Sequence, residues 1–69
     1  MKRQEAVALL KELGTEQLIQ HSVVLIQQRS PDRFQLQIKG NYDFKQIEMF
    51  VKNRFSLEES KGYSILYKP

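Results

Sequence analysis

The sequence predicts a small α+β fold: a two-layer sandwich in the order helix–hairpin–helix–hairpin, with an antiparallel sheet carrying two helices on one face. Three observations predict it. Ala6, Leu9, Leu10 and Leu13 recur at the spacing of one helical face. Phe34, Leu36 and Ile38 alternate with Gln35, Gln37 and Lys39, as in a strand with one wet side. Asp43, three residues before Gln46, marks the start of a second helix.

In the first helix, Lys2, Arg3, Glu5, Lys11 and Glu12 fall mostly off the apolar stripe. Gly14 suits the left-handed position just past a helix end, and Thr15 can cap a further turn over Leu18, Ile19 and Gln20. Residues 1–20 therefore read as a helix with a break. Residues 23–29 and 34–40 read as a hairpin around Ser30-Pro31-Asp32, where Pro31 presets φ and Asp32 tolerates unusual turn geometry. With Arg29 opposite Arg33 across a three-residue loop, Ile26 opposes Leu36 and Val24 opposes Ile38 on the core face. The same register sends Val23, Leu25, Gln27 and Arg29 outward beside Gln35, Gln37 and Lys39.

Asp43 as N-cap and Gln46 complete a capping box, and Tyr42 and Ile47 occupy the positions of a hydrophobic staple. Phe44, Ile47, Phe50, Val51 and the stem of Arg54 form the inward stripe of this helix, opposite a solvated row of Lys45, Glu48 and Lys52. Residues 55–62 support two readings. Ser56 and Glu59 suit a short third helix, which would shorten the order αββαββ to αββαβ. Against it, Phe55 and Leu57, then Tyr63, Ile65 and Tyr67, keep period two around the turn-like Ser60-Lys61-Gly62, and a second hairpin is preferred. The expected core is Leu9, Leu10, Leu13, Val24, Ile26, Leu36, Ile38, Ile47, Phe50, Val51 and Ile65. The echo of residues 35–39 in residues 64–68 is one of pattern only, since any two amphipathic hairpins look alike.

A chain of 69 residues makes one domain with a thin core, for which oligomerisation is a natural support. It has no cysteine, hence no disulfide, thiol nucleophile or cysteine-based metal site. Its longest apolar run, residues 6–10, is far short of a membrane span, and Glu5 and Lys11 interrupt any leader-like segment, so a cytoplasmic location is expected. His21 is the single histidine and has no acidic residue at helical ligand spacing. Ser22 beside it, and the neighbours Glu58 and Glu59, project to opposite sides of an extended chain. The three glycines form no phosphate-cradling pattern. No catalytic, cofactor or metal residues are expected, and the chain reads as a non-enzymatic module.

Two surfaces remain as candidates. Val23, Leu25 and Leu66 would lie on the open sheet face if Tyr63, Ile65 and Tyr67 turned toward the helices, and together they would form an interface for a protein partner or a second copy. Open strand edges offer a second route to self-association. Alternatively, Arg29, Arg33 and Lys39, interleaved with Gln35 and Gln37, could meet a nucleic-acid backbone and its bases. The charge of +3 and isoelectric point near 9.4 lean mildly that way. Proteins that read RNA on a sheet stack bases on exposed aromatics, and this register supplies none, because Phe34 belongs to the core.

Overall fold

The stripes and alternations settle into six elements in the computed structural model, which describes residues 1–69. They are α1 (Arg3–Thr15), β1 (His21–Ser30), β2 (Arg33–Asn41), α2 (Phe44–Val51), β3 (Ser56–Ser60) and β4 (Tyr63–Tyr67). The molecule is thus α+β, with two helices and one four-stranded antiparallel sheet. Strand order is β1-β2-β4-β3, which makes β2 and β4 interior strands and leaves β1 and β3 as edges. Ala6, Leu9 and Leu13 of α1, Ile47 and Val51 of α2, and Leu36, Ile38 and Leu66 of the sheet share one buried cluster. Met1 joins it, and its backbone exchanges two hydrogen bonds with Phe34.

At the start of α1, the Lys2 N–H donates to the Glu5 carboxylate at 3.1 Å. The helix does not end at Gly14. It continues through Thr15, and Gln17 takes the left-handed position at φ 60°. The Gln17 N–H then bonds the Gly14 carbonyl and the Leu18 N–H bonds the Leu13 carbonyl, the paired bonds of a Schellman ending. Leu18 packs against the cluster that buries Leu13, and this contact fixes where the helix stops. No second helical turn follows over Leu18, Ile19 and Gln20.

Helix α2 begins at its predicted N-cap, with the Gln46 N–H donating to the Asp43 carboxylate at 3.2 Å, but the Gln46 side chain makes no return bond to close the expected capping box. Tyr42 packs on the core and shares a hydrogen bond with Ser64, the one buried polar side chain. The inward stripe is narrower than expected, because a helix of eight residues presents only Ile47 and Val51 fully to the sheet. Phe50 is half-buried, and the Arg54 guanidinium lies 5.2 Å from its ring centre. Arg54 is exposed rather than buried by its stem. It bridges the two helices through an ion pair with Glu12 at 3.1 Å.

The first hairpin keeps the expected register, with Ile26 opposite Leu36 and Val24 opposite Ile38. Its loop is shorter, however. Ser30 pairs with Arg33 across Pro31-Asp32, and an irregularity between Gln28 and Ser30 absorbs Arg29 as the extra residue. Ile26 is also not core: it sits on the edge strand and is 36% exposed. Gly40 has φ +104°, and a Cβ there would stand 2.8 Å from the His21 carbonyl oxygen, so the crossing of β1 and β2 demands glycine.

The second hairpin overturns the expected faces. Residues 56–62 are strand and turn, and no helix forms over 55–62. The loop is Lys61-Gly62 alone, with Gly62 at φ +86° and Ser60 opposite Tyr63. Reading the turn as three residues pairs odd positions with odd. A two-residue turn pairs odd with even, and one residue of slip exchanges the two faces of a strand. Leu57 therefore faces Leu66, and Leu66 faces Leu36 in the core. Leu66 is fully buried and belongs to no interface. Ile65, placed in the core by the sequence, lies outside with Tyr63 and Tyr67.

Candidate interaction surface

The side of the sheet opposite the core carries four parallel rows, one from each strand. β1 contributes Val23, Leu25 and Gln27, and β2 contributes Arg33, Gln35, Gln37 and Lys39. β4 contributes Tyr63, Ile65 and Tyr67, and β3 contributes Ser56, Glu58 and Ser60. Across strands, Val23, Lys39, Tyr63 and Ser60 form one file, and Leu25, Gln37, Ile65 and Glu58 form the next. Because β2 is polar outward, Gln37 and Lys39 separate the apolar residues of β1 from those of β4. The expected patch of Val23, Leu25 and Leu66 is thus not one patch. Val23 and Leu25 remain exposed, at 60% and 44%, while Leu66 is replaced on this face by Ile65 and two tyrosines.

The three glutamines form a chain of amides. Gln35 donates to Gln27 at 2.8 Å, and Gln27 donates to Gln37 at 3.1 Å. This arrangement leaves the Gln35 carbonyl and the Gln37 amide nitrogen as open ends of the chain. The Tyr67 hydroxyl donates to the Glu58 carboxylate at 2.8 Å. That bond to an anion favours the neutral phenol and holds the Tyr67 pKa above its ordinary value, with desolvation adding to it. Gln27, Gln35 and Gln37 line a shallow depression with Arg29, Glu58, Tyr63, Ile65 and Tyr67. Arg29, the unpaired residue next to the turn, lies at its rim.

Charge is distributed unevenly over the molecule. Its two ion pairs, Arg54 with Glu12 and Lys68 with Glu5, lie on the helix side and near the C-terminus. Arg29, Arg33 and Lys39 enter no ion pair. On the outward rows the single carboxylate is Glu58, on the far edge strand, where it holds Tyr67.

Comparison of the chain with protein-family models, curated proteins and solved structures finds no match in any of the three. The reading of function therefore rests on the molecule itself.

A second depression lies beside His21, Tyr42, Asp43 and Gln46 at the start of α2, where the Asp43 carboxylate already occupies one of the helix donors. His21 is an exposed residue at the mouth of β1, and no group of three or more histidine, cysteine or acidic side chains could hold a metal. No helix is long and apolar enough to cross a membrane.

The edge strands complete the surface. β1 spans ten residues and pairs without a register shift from His21 to Gln28. It carries three of the four large hydrophobic residues exposed anywhere on the molecule, Val23, Leu25 and Ile26. The fourth, Met49, is 76% exposed on α2. Val23 and Leu25 lie on the outer face and Ile26 on the core face, where Val24 packs against the core but Ile26 stays exposed, so β1 shows apolar side chains to solvent on both sides.

Proposed function

We propose that the protein is a non-enzymatic interaction module that self-associates by pairing β1 with the β1 strand of a second copy. The observation that supports this reading is the gathering of exposed apolar side chains on both faces of one edge strand. In a two-layer arrangement with both helices on one side, stacking two open sheet faces would cover Val23 and Leu25 and leave Ile26 in water. Strand addition shields all three and pairs the outward N–H and C=O groups of the edge as well. Antiparallel addition joins two four-stranded sheets into one of eight strands with no new turn. A domain of 69 residues buries a smaller fraction of its unfolded surface than a larger domain does and gains proportionately from this.

Analytical ultracentrifugation tests the reading. Wild type should sediment as a dimer at micromolar to millimolar concentration. Leu25→Lys and Ile26→Lys should both shift it to monomer with the helical and strand content unchanged. If Leu25→Lys alone dissociates the dimer, the contact is face to face and the strand-addition reading is wrong. A wild type that sediments as a monomer throughout the range removes self-association altogether.

A further inference from the structure

The correction at β4 supplies what the outer face lacked in the sequence reading: two aromatic residues on an interior strand, beside a row of cations and amides. Tyr63 and Tyr67 stand on the same side of β4, four residues apart, which is about 13 Å along a strand. Their row runs next to β2, where Lys39 is opposite Tyr63 and Gln37 is opposite Ile65.

We propose that this face binds single-stranded RNA, with bases stacked on Tyr63 and Tyr67 and the phosphate backbone following β2 between Arg33 and Lys39. Charge complementarity selects a polyanion. The cations of this face are free of carboxylate partners, and the one outward carboxylate, Glu58, is held by Tyr67 at the margin. Chemistry selects unpaired bases, because stacking on aromatic side chains requires a base free of its helix. Each open end of the amide chain can meet a 2′-hydroxyl, the Gln35 carbonyl by accepting from one and the Gln37 amide nitrogen by donating to one. The proposed RNA contacts on β2 and β4 are set back from the free backbone edge of β1, so strand addition would leave them open.

Titration of the isotope-labelled protein with a short single-stranded oligoribonucleotide tests the proposal, with fluorescence anisotropy giving affinity. Chemical shifts of Tyr63, Tyr67, Gln37 and Lys39 should move together, with a Kd tighter than about 10⁻⁴ M at physiological salt. Tyr63→Leu and Tyr67→Leu should each weaken binding about 5- to 150-fold, while Tyr63→Phe and Tyr67→Phe keep the ring and hold affinity within about twofold. Arg33→Gln and Lys39→Gln should each reduce the slope of log affinity against log salt by about 0.7. The deoxy strand of the same sequence and the duplex RNA should both bind more weakly. The proposal is overturned by affinity weaker than about 10⁻⁴ M, by leucine variants that bind as wild type, or by a duplex or deoxy strand that binds equally well. It is also overturned if the tyrosine shifts depend on protein concentration without RNA, since a second protein molecule would then occupy the face.

Discussion

The two hairpins contribute one interior and one edge strand each, yet they end the sheet in opposite ways. β3, the edge of the second hairpin, has five residues and presents Glu58 and Glu59, with Lys61 at its turn. β1, the edge of the first, has ten residues, with Val23, Val24, Leu25 and Ile26 at its centre and charge confined to Arg29 near one end. Short length and charge are the usual means by which a sheet edge is kept from pairing with another. One edge of this sheet has them and the other does not, and that asymmetry is the reason the proposed association is placed at β1. The interior strands differ as well: β2 shows the solvent cations and amides, whereas β4 shows it aromatic and aliphatic side chains.

The sharpest way to break this comparison is at β4. Leu66→Ala should destabilise the fold by about 3 kcal/mol, since a fully enclosed leucine leaves a cavity that its neighbours cannot fill. Ile65→Ala, one residue away and on the outer face, should cost about 1 kcal/mol or less. Urea denaturation of the two variants decides between the faces. Equal losses, or a larger loss for Ile65, would restore the opposite register and return both tyrosines to the core side.

That contrast also explains what the sequence could and could not reveal. The first hairpin was legible because its two faces differ in kind: Phe34, Leu36 and Ile38 on one side, glutamines and lysine on the other. Only one register places the apolar set inward. The second hairpin carries Leu57 and Leu66 on one face and Tyr63, Ile65 and Tyr67 on the other, so both faces look buriable and the pattern cannot choose. The choice fell to the turn, where a two-residue loop ending in glycine at Gly62 was the available signal. The start of α2 was legible from Asp43, because a cap is a local hydrogen bond. Gly14 misled for the converse reason. A glycine's ease in the left-handed region is worth only about 1 kcal/mol, and packing of Leu13 and Leu18 outweighed it by moving the position to Gln17. Val23 and Leu25 were found by parity alone. The same parity hides Tyr63 and Tyr67 when the turn is read as three residues rather than two.

The glycines sharpen the comparison at a smaller scale. Gly40 and Gly62 have positive φ, so alanine is strained at either, but their surroundings differ. At Gly40 the new Cβ would meet backbone atoms of His21 and Ser22 at 2.8 and 3.2 Å, and the backbone of a paired strand cannot yield easily. Gly40→Ala should cost about 3 kcal/mol and loosen the pairing at the His21 end of β1. At Gly62 nothing lies within 4 Å, so Gly62→Ala should cost about 1 kcal/mol, the strain of the turn alone. Hydrogen exchange of the β1 amides separates the two. Exchange near Ser22 should accelerate in Gly40→Ala and stay unchanged in Gly62→Ala, and equal acceleration in both would mean that the β1–β2 crossing is not close.

The smallest effect expected is electrostatic, and it belongs to the second hairpin. Tyr67 donates its phenolic proton to Glu58, which raises the Tyr67 pKa above 10.0, with desolvation as the second cause. A folded pKa above the unfolded one means that the bond contributes its full stability below pH 10. This contribution is lost as the pH climbs through the raised folded value, where the phenolate would face the carboxylate. The opposite sign holds for Glu5, whose pKa is lowered by the Lys2 N–H and then by the Lys68 ammonium, so its contribution is complete above pH 4.5 and is lost as the solution is acidified. Urea midpoints measured from neutral to alkaline pH should therefore fall more steeply in wild type than in Tyr67→Phe, which has no proton to lose at this position. Both groups are partly open to solvent, so the difference should be modest, and raised salt should reduce its Coulombic part. Parallel midpoint curves for the two proteins above pH 10 would show that Tyr67 and Glu58 do not meet, and with that the ring would lose its tether at the margin of the outer face.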